Sequence, residues 1–186
     1  KKNNYVNRQR LIRDLQNYPA SAEEELFRPK FLELLLHPDA YRRFHLPGHM
    51  TASAWIVDKS KKNVLLTHHA KLNRWLQPGG HADGDEDILA VALREAEEET
   101  GLKNFNLIHP GIFDIDIHTI PARKEFPQHL HYDIRFLFQN DHEEPLIRSE
   151  ESHALAWFPW TEIERVSDAN ESMIRMAAKV NNLFGT

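Results

Sequence analysis

The sequence of 186 residues lacks cysteine and has no long apolar run. Without cysteine, neither a disulfide framework nor a zinc–thiolate site can form. No apolar stretch approaches the ~18 residues of a membrane span, and the start KKNNYVNRQR precedes no apolar signal-peptide core. The net charge of −5 argues against general nucleic-acid binding, which requires a basic surface. We therefore expect a cytoplasmic protein that binds neither membranes nor nucleic acids.

One segment has a fixed spacing of polar residues and glycines. Residues 80–102 read GHADGDEDILAVALREAEEETGL and follow the pattern G-x5-E-x7-R-E-x2-E-E-x-G. With residue frequencies of about 5–7%, a chance match at one start position is on the order of one in 10^8 to 10^9. We therefore interpret the segment as a functional motif. Its seven positions are filled by Gly80, Glu86, Arg94, Glu95, Glu98, Glu99 and Gly101.

Three carboxylates of this motif fall on one face of a predicted helix. At about 100° per residue, Glu95, Glu98 and Glu99 project within roughly 100° of arc, whereas Glu97 projects about 200° away from Glu95. Carboxylates one turn apart repel by roughly 0.2–0.5 kcal/mol per pair. A hard divalent cation reverses that sign, and Mg²⁺ takes oxygen ligands together with water and substrate phosphates. The spacing indicates a Mg²⁺-dependent enzyme acting on phosphates, with Glu97 as a surface residue.

The motif resembles the complete signature of the Nudix hydrolases, including small Ala96 and apolar Leu102 at the two positions that the signature keeps apolar. By element order the resemblance extends over roughly residues 48–165. It implies an α/β fold, namely the Nudix α/β/α sandwich with a central mixed β-sheet, here with a helical N-terminal extension. It also implies Mg²⁺ as cofactor, with Mn²⁺ as a substitute, and a small nucleoside diphosphate-type substrate.

The resemblance further implies which residues hold the metal. Direct ligands are expected from the carboxylates of Glu98 and Glu99, with Glu95 acting as a ligand or as the base. The backbone carbonyl of Gly80 is implied as a further ligand, although Pro-Gly-Gly is also a common turn sequence. Bare glycine backbone allows a close approach to metal and phosphate.

Supporting roles are expected for three other motif residues. Arg94 would orient the acidic cluster through charge-assisted hydrogen bonds and is counted with the catalytic residues. Glu86 would support the metal ligands without itself binding the metal. Gly101 stands where a glycine ends a helix.

A carboxylate outside the motif is expected on a loop before the last strand, by the same resemblance. Glu151, six residues before Trp157, is predicted as the catalytic base or an additional metal ligand. Glu150 lies beside it in the same loop, and the less well placed candidates are Asp141, Glu143 and Glu144.

Four basic residues are candidates for binding the substrate's phosphates, because guanidinium and ammonium groups match phosphate oxygens. Lys71 and Arg74 precede the motif, Arg123 lies in a loop, and Arg135 lies on a later strand. A plain surface arginine is an equally good interpretation of Arg123.

The segment HLHYD places three polar side chains, His129, His131 and Asp133, on one face of a strand. Consecutive positions on that face are ~6.6–7 Å apart, which disfavours chelation of a single ion by all three. We expect instead that this face lines or supports the substrate cleft, with Asp133 or Arg135 in ion pairs.

The chain divides into a helical extension over residues 1–47, packed on a Nudix domain over residues 48–186. Ser21 and Glu24 predict a capping box at the start of the second helix, and Pro29 is expected to kink it or reset its first turn. The leucine-rich stripe of that helix packs on the sheet or forms a homodimer interface, and the first is favoured. Later strands are predicted at 50–58, 63–69, 112–120, 129–139 and 155–158, and helices at 86–100 and 170–183.

Three functional classes compete. The first hydrolyses a diphosphate linkage in a nucleotide sugar, a dinucleotide or a nucleoside triphosphate. The second, an isoprenyl-diphosphate isomerase, requires a catalytic cysteine that this sequence lacks. The third, a catalytically silent ligand-sensing module, tends to lose the motif carboxylates, all of which are present. The sequence therefore favours a pyrophosphohydrolase.

Overall fold

The computed structural model describes residues 2–124, 126–141 and 144–185, with side chains from Asn7 onward. Its helices are α1 (Lys2–Asn17), α2 (Ala22–Leu34), α3 (Ile88–Thr100), α4 (Ile163–Val166) and α5 (Glu171–Phe184). Its strands are β1 (Gly48–Val57), β2 (Asn63–His69), β3 (Arg74–Leu76), β4 (Gly79–His81), β5 (Asn106–Leu107), β6 (Asp114–Ile120), β7 (His129–Gln139) and β8 (Ser152–Pro159). No helix within these ranges is long and apolar enough to cross a membrane.

The strands form one sheet in the order β3-β2-β1-β7-β5, with β4 paired to β1, β6 to β7 and β8 to β2. By contacts the chain separates into two units. The first contains residues 1–53, 80–92 and 110–136, and the second contains residues 54–79, 93–109 and 137–186. The first unit combines the N-terminal helices with later segments of the chain, so its bounds differ from those of the predicted extension. The predicted division into residues 1–47 and 48–186 stays a prediction.

In the first unit, one buried carboxylate ties α2 to β6. Ser21 caps α2 as predicted, because its hydroxyl accepts from the amide of Glu24 and its own amide donates to the Glu24 carboxylate. The same carboxylate accepts from the hydroxyl of Tyr18 at 2.6 Å and from the amide of Ile115 at 3.2 Å. Glu24 is therefore completely buried without being left unpaired.

The apolar face of α2 packs against β6 and β7 in this unit. Phe31 is fully buried and meets the ring of Tyr132 edge-on at 5.4 Å, whereas Leu26 and Leu36 are exposed. Pro29 lies inside α2, and the helix continues to its end at Leu34. The packing expected of the stripe is found for its central residues, and a homodimer interface stays a prediction.

In the second unit, β2 pairs antiparallel with three strands, β1, β3 and β8. Its residues Val64, Leu65 and Leu66 are buried, and paired strands flank β2 on both sides. Helix α5 is capped by Asn170, whose side chain accepts from the amide of Met173, and it buries one apolar face.

The predicted strands at 63–69 and 129–139 coincide with β2 and β7. Helix α3 begins at Ile88, two residues after its predicted start, because Asp87 caps it by accepting from the amide of Ala90 at 3.2 Å. The short elements β3, β4, β5 and α4 are not predicted from periodicity. In β7 the polar face is buried as well as the apolar one.

Candidate active site

The last two turns of α3 carry the predicted acidic face, and all of it lies in the second unit. Arg94 lies among these carboxylates: its Nη2 donates to Glu95 Oε1 at 2.9 Å, and its Nε is 3.9 Å from Glu98 Oε1. The backbone amide of Gly79 donates to Glu99 Oε1 at 3.3 Å. One guanidinium and one backbone amide thus contact the three carboxylates.

Charge repulsion within this group appears in the pKa values of its members. Burial and the charges of Glu95, Glu151 and Glu98 together raise the pKa of Glu99 to about 8, against the lowering effect of the hydrogen bond from the Gly79 amide. Burial also raises the pKa of Glu95, although the hydrogen bond from Arg94 lowers it in part. The cluster therefore holds more negative charge than its surroundings compensate, which favours binding of a cation.

Glu151 lies near this cluster, since its charge raises the pKa of both Glu95 and Glu99. Its backbone carbonyl accepts from the amide of Ala70 at 2.8 Å, which fixes the loop before β8 to the end of β2. The side chain is exposed. The structure brings this predicted residue to the acidic face of α3, and its role as base or ligand stays a prediction.

Glu97 contacts a different partner from its neighbours on α3. Its Oε2 accepts from Lys103 Nζ at 2.7 Å, and the side chain is about one-third exposed at 33%. It does not figure among the charges that shift Glu95 or Glu99. This placement matches the surface residue that the helix phase predicts.

Gly101 ends α3 as expected. It has a φ of +73°, and its amide donates to the carbonyl of Glu97 at 3.0 Å. A Cβ on this residue would lie 2.5 Å from the Cβ of Ile147. Both the left-handed backbone and the close packing exclude a side chain here.

Two basic candidates of the second unit stand at the β2–β3 turn. Lys71 lies in the turn itself, and Arg74 begins β3 opposite His69. Both are exposed. Long, exposed cations on a turn can reach an anionic ligand, so both remain predicted substrate contacts.

The other acidic candidates of the second unit have partners of their own. Glu144 accepts from the amide of Lys103 at 2.8 Å, and Asp141 accepts from Gln139 at 2.9 Å. Glu143 lies outside the described residues. Neither Asp141 nor Glu144 contributes to the pKa shifts of Glu95 and Glu99, which favours Glu151 over both.

Motif residue Glu86 lies in the first unit, where Arg8 of α1 holds it through two hydrogen bonds. Gly80, in the same unit, lies in β4 directly after Gly79. A metal contact of the Gly80 carbonyl stays a prediction. Arg123 lies exposed in the loop between β6 and β7, where its backbone pairs with Phe126, and its contact with phosphate also stays a prediction.

Arg135 does not lie where a substrate could reach it, so the structure does not support its predicted binding role. Its side chain is 2% exposed and donates to Asp133 at 2.8 Å, to Asp114 at 3.1 Å and to Asp116 at 3.2 Å. Burial lowers the pKa of Arg135, but the three aspartates outweigh that effect and hold it above its usual value. Because Asp116 lies directly opposite Asp133, the guanidinium separates two facing carboxylates between β6 and β7.

The first unit contains a second group of side chains that could hold a metal ion. It consists of four histidines that we call the histidine cluster: His49, His81, His129 and His131. Each offers a ring nitrogen, and these nitrogens all lie within 4.8 Å of one another. Burial lowers the pKa of His81 to about 4 and that of His131 to about 2, so these rings are neutral at pH 7. Asp133 is not part of the cluster.

Comparison with known proteins identifies related chains. A family model described as the NUDIX domain matches residues 47–179. The chain is 36% identical over 108 residues to the m7GpppN-mRNA hydrolase NUDT17 of Homo sapiens. This alignment covers 52% of this chain and 33% of that protein. The chain is 44% identical over 55 residues to the protein of the same name from Xenopus laevis, covering 27% of this chain and 19% of that one. The chain thus spans a fifth to a third of these proteins' lengths.

Among solved structures, an Ap4A hydrolase of C. elegans in a binary complex is similar, with a TM-score of 0.59 and 20% identity. The match covers 73% of this chain and 97% of the other. This similarity shows the fold, a mixed β-sheet with flanking helices. The predicted α/β/α sandwich is confirmed.

Proposed function

Because this chain belongs to the NUDIX family, we propose that it is a pyrophosphohydrolase that cleaves a diphosphate linkage in a nucleotide derivative with the help of Mg²⁺. Mn²⁺ would serve as a substitute, since both cations favour oxygen ligands. The curated proteins and the solved structure that resemble the chain are named as hydrolases of nucleotide-derived substrates. The metal and the substrate class are inferred from the side chains of the site.

The observation that carries the proposal is the grouping of Glu95, Glu98 and Glu99 on one face of α3 beside Glu151, and the raised pKa of Glu99 agrees with it. A buried carboxylate whose neighbours Glu95, Glu98 and Glu151 are also carboxylates is destabilised in its charged form. A bound divalent cation removes that destabilisation, and the donor set consists of oxygen atoms, which suits Mg²⁺. The residues present therefore fit the cofactor that the family uses.

Bound Mg²⁺ would neutralise diphosphate charge and lower the pKa of a coordinated water. Glu98 and Glu99 are the proposed carboxylates that hold the ion. Glu95 has two open roles, a ligand or the group that accepts the water's proton. Arg94 positions Glu95 through its 2.9 Å hydrogen bond, which keeps one oxygen of that carboxylate occupied.

Glu151 is proposed to accept the proton of the attacking water, or to complete the set of ligands. Its exposure keeps it able to exchange protons with solvent, and its charge already acts on Glu95 and Glu99. In-line attack of that water on one phosphorus breaks a phosphorus–oxygen bond, leaving two fragments that each carry a phosphate.

The proposed substrate class is a nucleoside diphosphate linked to another group, such as a nucleotide sugar or a dinucleotide, or a nucleoside triphosphate. Lys71 and Arg74 are exposed cations beside the loop of Glu151, whose carbonyl accepts from Ala70. Their positive charges suit the phosphates of such a substrate.

A substrate screen tests the proposal. Nucleotide sugars, dinucleoside polyphosphates and nucleoside triphosphates would be incubated with the protein and Mg²⁺, and the products identified by chromatography. We expect turnover of at least one class, and no turnover in excess EDTA. Full activity in EDTA would contradict the metal mechanism, because the carboxylates would then have no catalytic task.

A further inference from the structure

The histidine cluster draws its four rings from three strands of the first unit. His49 lies in β1, His81 in β4, and His129 and His131 in β7. His49 and His129 are buried, at 1% and 8% exposure, and the other two are half-buried. Imidazoles converging from separate strands are ligands suited to a first-row transition metal.

The distances match those of tetrahedral coordination. Zinc–nitrogen bonds of ~2.0–2.1 Å place neighbouring ligand nitrogens of a tetrahedron about 3.3–3.4 Å apart. Nε2 of His129 and Nε2 of His131 are separated by 3.3 Å. The other pairs of ligand atoms lie no farther than 4.8 Å apart, so small side-chain rotations complete the set.

Backbone carbonyls fix the orientation of two rings. Nδ1 of His129 donates to the carbonyl of Pro127 at 2.9 Å, and Nδ1 of His49 donates to the carbonyl of His45 at 3.2 Å. A carbonyl oxygen only accepts, so Nδ1 of each ring carries a proton, and Nε2 is the nitrogen left for a metal. Metal-binding histidines are held in this way by a hydrogen bond from the nitrogen that does not bind the metal.

Nε2 of His49 is the independent indication of a ligand. It is buried and has no hydrogen-bond partner among the residues that the structure describes. A buried polar atom without a partner destabilises the folded state. A cation at the centre of the cluster would satisfy it.

We propose that His49, His81, His129 and His131 form a Zn²⁺ site that joins strands β1, β4 and β7. Four protein ligands close the coordination shell, which is the arrangement of structural zinc. The site uses nitrogen donors only, whereas the acidic face of α3 offers oxygen donors for Mg²⁺. The two sites are therefore distinguishable by their metal preference.

The test is titration of metal-free, full-length protein with Co²⁺ and Zn²⁺ in the presence of excess Mg²⁺. We expect one equivalent of Co²⁺ to bind, with the intense visible absorption of four-coordinate cobalt, and Zn²⁺ to displace it. Mass spectrometry of the intact chain and elemental analysis give the stoichiometry. Six-coordinate cobalt spectra, or no binding beyond trace levels, would overturn the proposal.

Variants locate the binding. His49→Ala should weaken Zn²⁺ binding by more than about a hundredfold, since even loss of an outer hydrogen bond to a ligand costs 10–100-fold. The control His153→Ala removes an exposed histidine outside the cluster and should bind as the wild type does. The double variant Glu98→Gln/Glu99→Gln should retain the zinc equivalent. Loss of that equivalent in the double variant, or its retention in His49→Ala, would place the metal elsewhere.

Folding of the variants is checked separately. If His49→Ala fails to fold, His131→Gln, at a half-buried position, replaces it in the same titration. Unfolding of the wild type with and without Zn²⁺ adds a readout that does not involve catalysis. A joining role for the metal predicts a higher melting temperature with Zn²⁺, and an unchanged one would contradict it.

Discussion

Arg8 donates two hydrogen bonds to Glu86, from Nε to Oε2 at 2.9 Å and from Nη2 to Oε1 at 2.5 Å. The same guanidinium donates to the carbonyls of His37 and Pro38 and lies 5.1 Å from the centre of the Tyr41 ring. One arginine of α1 therefore provides hydrogen bonds both to the carboxylate of a motif glutamate and to backbone carbonyls of the segment that follows α2.

We predict that Arg8→Ala lowers the free energy of unfolding by about 2–3 kcal/mol, because it leaves the carboxylate of Glu86 half-buried and unpaired. The matched control is Arg10→Ala, whose exposed side chain lies 3.8 Å from Asp14 and should contribute less than about 0.5 kcal/mol. Urea denaturation measures both. Equal effects would show that the Arg8 pair has no special role.

The catalytic role of the acidic face is tested by two neighbours on α3. Glu99→Gln keeps the shape but removes a charge from the proposed metal ligands, so kcat should fall by roughly 10²-fold or more. Glu97→Gln only removes a partner of Lys103 and should leave kcat within about twofold. Steady-state kinetics in Mg²⁺ compare them. Similar losses in both variants would disprove the assigned helix face.

The same substitution, Glu99→Gln, should lower activity but raise the stability of the metal-free protein. The pKa of Glu99 in the folded chain is about 8, above its ordinary value of 4.5, so folding is penalised progressively as pH rises from about 4.5 to 8. Glu99→Gln has no such group and can still accept from the Gly79 amide. In EDTA this variant should gain stability relative to the wild type across that range, measured by denaturation at pH 5 and pH 9. A constant difference at both pH values would refute the assignment.

Glu151 is tested against its neighbour in the sequence. Glu151→Gln should lower kcat strongly and flatten the acidic limb of the pH–rate profile, because the proton acceptor is lost. Its thermal stability should change little, since the side chain is exposed on a loop. Glu150→Gln should lower kcat less than Glu151→Gln does. If Glu151→Gln turns over at nearly the wild-type rate, the proton passes to Glu95 instead.

Two arginines that were both candidates for phosphate binding should behave differently. Arg135→Ala leaves three carboxylates without their shared cation, two of them fully buried, and should destabilise the fold by about 3–5 kcal/mol. Arg74→Ala should leave stability unchanged and raise KM. Denaturation and substrate titration separate the two effects. A stable Arg135→Ala variant with a raised KM would restore the substrate role of that residue.

The motif helix could be predicted because its chemistry is encoded in local spacing. A helix phase of about 100° per residue assigns Glu95, Glu98 and Glu99 to one face from the sequence alone. The capping residues Ser21 and Gly101 are local signals of the same kind. The long, regular strands β2 and β7 were also predicted, since alternation over several residues is a strong pattern.

The ion pair expected for Asp133 or Arg135 is found, but the partners of Arg135 on β6 could not be predicted, because they depend on the pairing of two strands. Within one strand, the alternation only assigns Arg135 to the same polar face as Asp133. The register that sets Asp114 opposite Arg135 and Asp116 opposite Asp133 creates the buried ion pairs. The alternating aspartates of FDIDIH were the available signal, but they only gain meaning once that register is known.

The histidine cluster was missed for a related reason. Spacing along one strand disfavoured a single ion shared by His129, His131 and Asp133, but the ring nitrogens of His129 and His131 lie only 3.3 Å apart. The further ligands come from His49 and His81, which lie far away in sequence, so no motif search on β7 could include them. The pairing of β4 and β7 with β1 brings the four rings together, so that their ring nitrogens lie within 4.8 Å of one another.

The carboxylate of Glu24 has a consequence for how this sequence can vary. It closes the capping box of α2 and accepts from Tyr18 and from the amide of Ile115 at the same time. Aspartate, one methylene shorter, cannot span these donors from the same backbone position, and glutamine would direct an amide N–H towards another donor. Position 24 should therefore tolerate substitution far less than an ordinary helix-capping residue, so that related chains that keep Tyr18 and this helix–strand contact should keep glutamate as well.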